Sequence, residues 1–111
     1  MTDTTYCNLT SVKAKLLIST EDTDKDDQLN TTILEASRLI DTYLNPYTEV
    51  PLNNSTIPEQ IKYITENFVC GLFLQRQMPR DPYGDTWIIM AKEQIELYIK
   101  NTYFKGKIEI I

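Results

Sequence analysis

The chain has 111 residues, 16 acidic and 11 basic side chains, no histidine and three glycines. One domain of this length buries roughly two-thirds of the surface its unfolded chain exposes, and so few glycines disfavour a turn-rich all-β fold. A formal charge of −5 repels polyanions, and the absence of histidine removes the commonest general base, the usual nucleophilic triads and most zinc constellations.

In chain order, the first ten residues carry neither a positive leader nor an apolar core of a signal segment, so a protein made in the cytosol is expected. No apolar run approaches the roughly 18 residues that a bilayer span needs, and no membrane partner is expected. Thr10 or Ser11 is positioned to cap a short first helix carrying Val12, Ala14, Leu16 and Leu17 and ending near Ser19. At about two turns this helix needs a neighbour to hold it.

Residues 21–27 form an acidic loop, in which Thr23, Asp24 or Asp26 can cap a second helix running to about Leu44. Leu29, Ile33, Ala36, Ile40 and Tyr43 follow the three-and-four spacing that gathers an apolar stripe on one face. Pro46 ends that helix, and residues 47–56 make a loop with room for one short strand at residues 48–52.

Pro58 suits the first turn of a third helix that continues to Gln75 or Gln77. Its apolar residues Ile61, Ile64, Phe68, Val69, Leu72, Phe73 and Leu74 cover more than one stripe, as expected of a central helix touching several neighbours. Gly71 in its interior costs about 1 kcal/mol relative to alanine, which makes sense where another backbone packs against that turn.

The two prolines at 79 and 82 force a loop, after which Asp85 or Thr86 can cap a fourth helix carrying Trp87, Ile88, Ala91, Ile95, Tyr98 and Ile99. From Phe104 the sequence turns alternating and β-prone. The reading is an all-α fold: a small bundle of about four helices with a long central helix over residues 1–103, and a short C-terminal tail over 104–111.

Chemistry finds little support. Asp22, Asp24 and Asp26 alternate like the start of a calcium loop, but the sixth position is Asp27 rather than glycine and the twelfth is Ile33 rather than glutamate. No phosphate-cradling glycine motif occurs, and the acidic run has no apolar flank to raise a carboxyl pKa. No catalytic residue, cofactor or metal is assigned. Cys7 and Cys70 are expected as free thiols. Four Asn-X-Ser/Thr triplets, beginning at Asn8, Asn30, Asn53 and Asn54, follow from an Asn- and Thr-rich composition.

Arg76, Arg80 and Lys92 flank the proline loop beside Tyr83 and Trp87. This set reads either as a basic, aromatic nucleic-acid surface or, better suited to an acidic chain, as aromatic anchors of a protein interface.

The order of landmarks resembles the head–tail connector (head completion or adaptor) family of tailed phages and prophages, HK97-type connectors included. The likeness runs from residues 6–13 opening a short helix, through an acidic loop before Leu29, Ala36 to Tyr43, and Pro46-Tyr47. It continues with Ile57-Pro58 opening a long apolar helix that ends at Phe73 to Arg76. It implies a structural subunit of the virion, made in the host cytoplasm, and a homo-oligomeric ring that meets the portal protein and the tail or stopper protein. DNA then passes through its channel without specific binding.

Under that resemblance Phe104, Ile108, Ile110 and Ile111 are candidate partner-docking residues, since an exposed Ile-Glu-Ile-Ile strand can add to a partner's sheet edge, with Tyr83 and Trp87 as further anchors. A strand packed on its own domain is the plain alternative for the tail. Two rival readings remain at this stage: a tail-completion or stopper protein of the same particle, and a small acidic helical regulator that binds one protein as a monomer or dimer. An enzyme using carboxylates alone would need a strongly shifted acidic group in a cleft.

Overall fold

A short helix laid across three long ones makes up the computed structural model, which describes residues 4–104. The helices are α1 (Leu9–Lys15), α2 (Asp26–Leu44), α3 (Glu59–Gln77) and α4 (Tyr83–Tyr103). Among the described residues there is no strand, so the loop at residues 48–52 stays irregular.

The central position falls to α3, which packs against all three other helices. Ile61, Ile64, Phe68, Val69 and Phe73 are buried there between Leu29, Ile33, Ala36, Ile40 and Leu44 of α2 and Ala91, Ile95 and Ile99 of α4. Each fully buried aliphatic side chain in this set is worth about 1.5–3 kcal/mol relative to exposure. The three-and-four spacing thus gave the correct core faces for all three long helices.

Gly71 explains why α3 and α4 can pack so closely. A Cβ built on Gly71 would lie 2.5 Å from Ile88 Cγ1 and 2.9 Å from the Gly84 carbonyl oxygen, and one on Gly84 would lie 2.8 Å from both the Gln75 nitrogen and the Gly71 oxygen. Two glycines on facing helices let the backbones touch, as the interior position of Gly71 predicts. Gly84 can take part because α4 begins at Tyr83, two to three residues before the expected caps Asp85 and Thr86. Asp81 fixes this earlier start by accepting a 2.9 Å bond from the Tyr83 N–H.

The caps of the first two helices also differ from expectation. Asn8 caps α1, its side-chain oxygen accepting from the Ser11 N–H at 2.8 Å. Helix α1 then stops at Lys15 in a pair of bonds, Ile18 N–H to the Lys13 carbonyl (2.8 Å) and Leu17 N–H to the Ala14 carbonyl (3.2 Å). This Schellman pattern places its C′ residue in the left-handed region, where glycine is usual. Here that residue is Leu17, with φ 62°, a conformation costing an L-residue roughly 1–2 kcal/mol.

Neither Thr23, Asp24 nor Asp26 caps α2, whose N-cap Lys25 makes no side-chain bond. The acidic loop is organised instead by Lys13, a buried lysine whose three ammonium protons meet three acceptors. These are the Asp26 carboxylate at 2.8 Å and the Asp22 and Thr20 carbonyls at 2.6 and 3.4 Å.

The segment before α1 is strapped to α2. Tyr6, 1% exposed, donates its hydroxyl to Asp41 and accepts from the Leu52 N–H at 2.8 Å, while its own N–H meets the Ser37 hydroxyl at 3.0 Å. Arg38 donates to the Thr4 carbonyl. Tyr6 therefore ties the chain start, α2 and the 45–58 loop together, a role that its place ahead of any helical pattern conceals.

Candidate interaction site

Among the described residues no cluster of three potential metal ligands occurs, and no helix is long and apolar enough to cross a membrane. What the surface does offer is apolar area. Tyr83, Trp87, Met90, Gln94 and Leu97 recur along α4 at spacings of four, three, four and three, which aligns them in one stripe beside the buried face of that helix. Tyr83 and Leu97 are 55% and 56% exposed, and Tyr63 on α3 adds a ring 57% exposed. Tyr63, Ile64, Leu97 and Tyr98 wall a groove of about 360 Å³ between α3 and α4, rimmed by Gln60, Gln94, Asn101 and Thr102.

Beneath the stripe lies a polar network that fixes α1 to the other helices. Lys15 pairs with Glu66 at 3.3 Å and donates to Asn67 Oδ1 at 2.8 Å, and Asn67 in turn donates to Gln94 Oε1 at 2.7 Å. The same ammonium stands 5.6 Å from the Tyr63 ring centre and 6.0 Å from that of Trp87. A cation held against two aromatic faces is favourable to both rings, one at the groove wall and one near the start of α4.

The two sulfur atoms belong to this interior. Both cysteines are free. Burial pushes the Cys7 thiol up to about 12, helped by the Glu66 carboxylate, and the Cys70 thiol to about 11. Both are therefore protonated at neutral pH and poor nucleophiles.

The sequence-predicted docking residues fall in two places. Tyr83 and Trp87 sit together at the start of α4, ring centres 6.3 Å apart and edge to face. Phe104 follows the other end of that 21-residue helix, a rise of about 30 Å away. There it meets Tyr47 edge-on at 5.3 Å, and Tyr47 stacks on Tyr103 at 5.4 Å. Ile108, Ile110 and Ile111 lie outside the described residues.

The basic, aromatic surface considered for nucleic acid is dispersed. Arg76 is engaged by Glu35 of α2 at 2.6 Å, and Lys92 is about 140° around α4 from Trp87. Two apolar features escaped the sequence reading. Met90 and Leu97 extend the Tyr83–Trp87 pair along α4, visible as a second helical stripe once the core stripe is set aside. Leu17, expected within the first helix, lies past the end of α1 and is 91% exposed.

The described residues thus form an all-α unit with an organised interior and a largely apolar stripe left on its surface. Searches of curated proteins and of solved structures gave no match. The family model of the phage gp6-like head-tail connector protein matches residues 6–79, from Tyr6 through α3 and just past its end. That stretch holds the Tyr6 strap, α1 with its Asn8 cap, the Lys13-organised loop and the central helix, and it is more than half of the chain. The chain therefore belongs to the phage gp6-like head-tail connector proteins.

Proposed function

We propose that the protein works by assembly, as copies forming a ring that joins the portal of the DNA-filled head to the tail or stopper protein and extends the DNA channel. The observation that carries this reading is the match to the head-tail connector family over residues 6–79, which include α1 to α3. The exposed stripe on α4 and the ring of Tyr63 supply apolar area of the kind that subunit contacts cover. Such a ring is closed by a heterologous contact repeated around one axis.

The formal charge of −5 suits the same role, because carboxylates along a channel repel phosphates and let DNA pass without sticking. The tail from Phe104 to Ile111 is the segment assigned to portal or neighbour docking, with the Phe104–Tyr47 contact as its anchor on the helical unit.

Mixing the purified chain with purified portal rings and following co-sedimentation and particle images tests both parts. Ring-shaped density on the portal that weakens when the chain is truncated after Tyr103 is the expected result. A monomer or dimer that binds no portal would overturn the connector ring, and equal binding by the truncated chain would overturn the docking tail.

A further inference from the structure

Leu17 is placed against both of its own preferences. It occupies the left-handed C′ position of a Schellman turn that glycine would fill without strain, and its side chain is 91% exposed. Nothing among the described residues of one copy rewards either feature. The groove between α3 and α4 is the converse: an opening walled by Tyr63, Ile64, Leu97 and Tyr98 that no side chain among the described residues fills.

We propose that Leu17 of one copy seats in the α3–α4 groove of the next, so that the α1–α2 turn and this groove are the two halves of the contact between neighbouring copies. Charge chooses a second copy as the occupant. Leu17 leads into a loop whose Glu21, Asp22 and Asp24 are exposed, with exposed Asp27 following in the first turn of α2, whereas none of the residues lining the groove is acidic. The groove's rim of Gln60, Gln94 and Asn101 offers amide donors that an acidic turn can meet.

In a protein of charge −5 most faces repel one another, so an acidic turn carrying one aliphatic knob finds its match on the non-acidic, apolar groove. Knob and groove are different surfaces, so the contact is heterologous and each copy uses both halves at once. This proposal rests on the ring reading and specifies how its copies touch.

The test uses the full chain at increasing concentration, alone and on portal rings, with Leu17→Cys, Leu97→Cys and the double variant oxidised and run without reductant. The double variant is expected to give a ladder of cross-linked dimers, trimers and higher species, whereas each single variant gives none beyond a dimer. In parallel, Leu17→Gly is expected to melt at the same or a higher temperature than the natural chain while its self-association, read by sedimentation, weakens at least tenfold. A residue needed only for folding would do the reverse.

Rings of the natural chain with no ladder, or rings of Leu17→Gly as tight as its own, would overturn this contact and leave the ring intact. Efficient dimers from Leu97→Cys alone would overturn it in favour of paired grooves. A natural chain that stays monomeric alone and on the portal would overturn contact and ring together.

Discussion

Replacing Gly71 by alanine probes the closest approach in the molecule. The new Cβ would stand 2.5 Å from Ile88 Cγ1, 2.9 Å from the Gly84 oxygen and 3.0 Å from the Ile88 nitrogen. Rotation of Ile88 can relieve the first contact; the other two involve backbone, so α4 must move away from α3. Overpacking of this kind costs about 1–3 kcal/mol, and here the upper end applies because separation also loosens Ala91 and Ile95.

Against this stands the gain of about 1 kcal/mol that alanine brings to a helix interior over glycine. The net expectation is a loss of about 2 kcal/mol, which for a domain near 100 residues lowers the melting temperature by roughly 8 °C. Urea unfolding followed by circular dichroism at equal m-value measures it, with exposed Asn30→Ala as a helix-propensity control expected to gain up to about 0.7 kcal/mol. A Gly71→Ala protein about 1 kcal/mol more stable than the natural chain would refute the backbone contact, because propensity alone would then be acting.

Tyr6→Phe removes a hydroxyl that both donates to Asp41 and accepts from the Leu52 N–H. A loss of about 1–3 kcal/mol is expected in urea unfolding, with faster amide exchange at Leu52. Lys13→Met leaves the Asp26 carboxylate and two carbonyls without their shared donor. We expect a loss of about 2–3 kcal/mol and greater protease sensitivity in the 19–25 loop, which is absent if that loop is ordered by other means.

Alkaline stability carries a signature of the buried thiols. In the folded chain Cys7 and Cys70 hold their protons to about 12 and about 11, against 9 when unfolded, so their contribution is complete below pH 9 and is lost as pH rises toward those values. Tyr6, raised by burial from 10 to about 12, acts in the same direction from pH 10. The urea midpoint is expected to fall from pH 9 upward in the natural chain and only from about pH 10 in a Cys7→Ala/Cys70→Ala variant. Superimposable profiles would contradict the buried thiols.

The long helices were legible because a helical period in apolar residues survives any tertiary arrangement: Leu29, Ile33, Ala36 and Ile40 lie on the core face for the reason their spacing states. Caps and exact starts were less so. Asn8, Thr10 and Ser11 are all competent to cap, and the choice falls to whichever lets Val12 reach the core. Helix α4 starts early, with Asp81 accepting from the Tyr83 N–H, and this brings Gly84 against Gly71, a pairing between distant segments that local pattern cannot hold.

The candidate contact surface was legible only in part. Tyr83 and Trp87 stood out as aromatics beside a proline loop, whereas Leu97 and Met90 merged with the core residues of their own helix. Leu17 reads from sequence as one more apolar residue of α1, since nothing local announces a non-glycine residue in a left-handed turn. Tyr6 precedes every helix, and its burial depends on Ser37, Asp41 and Leu52, partners 31 to 46 residues away.

The central claim, that this chain joins head to tail, is tested most directly by producing particles that lack it. The account predicts DNA-packaged heads and free tails that do not associate, with infectious tailed particles restored when the purified protein is added to the extract. Fully tailed, infectious particles assembled in its absence would contradict the account.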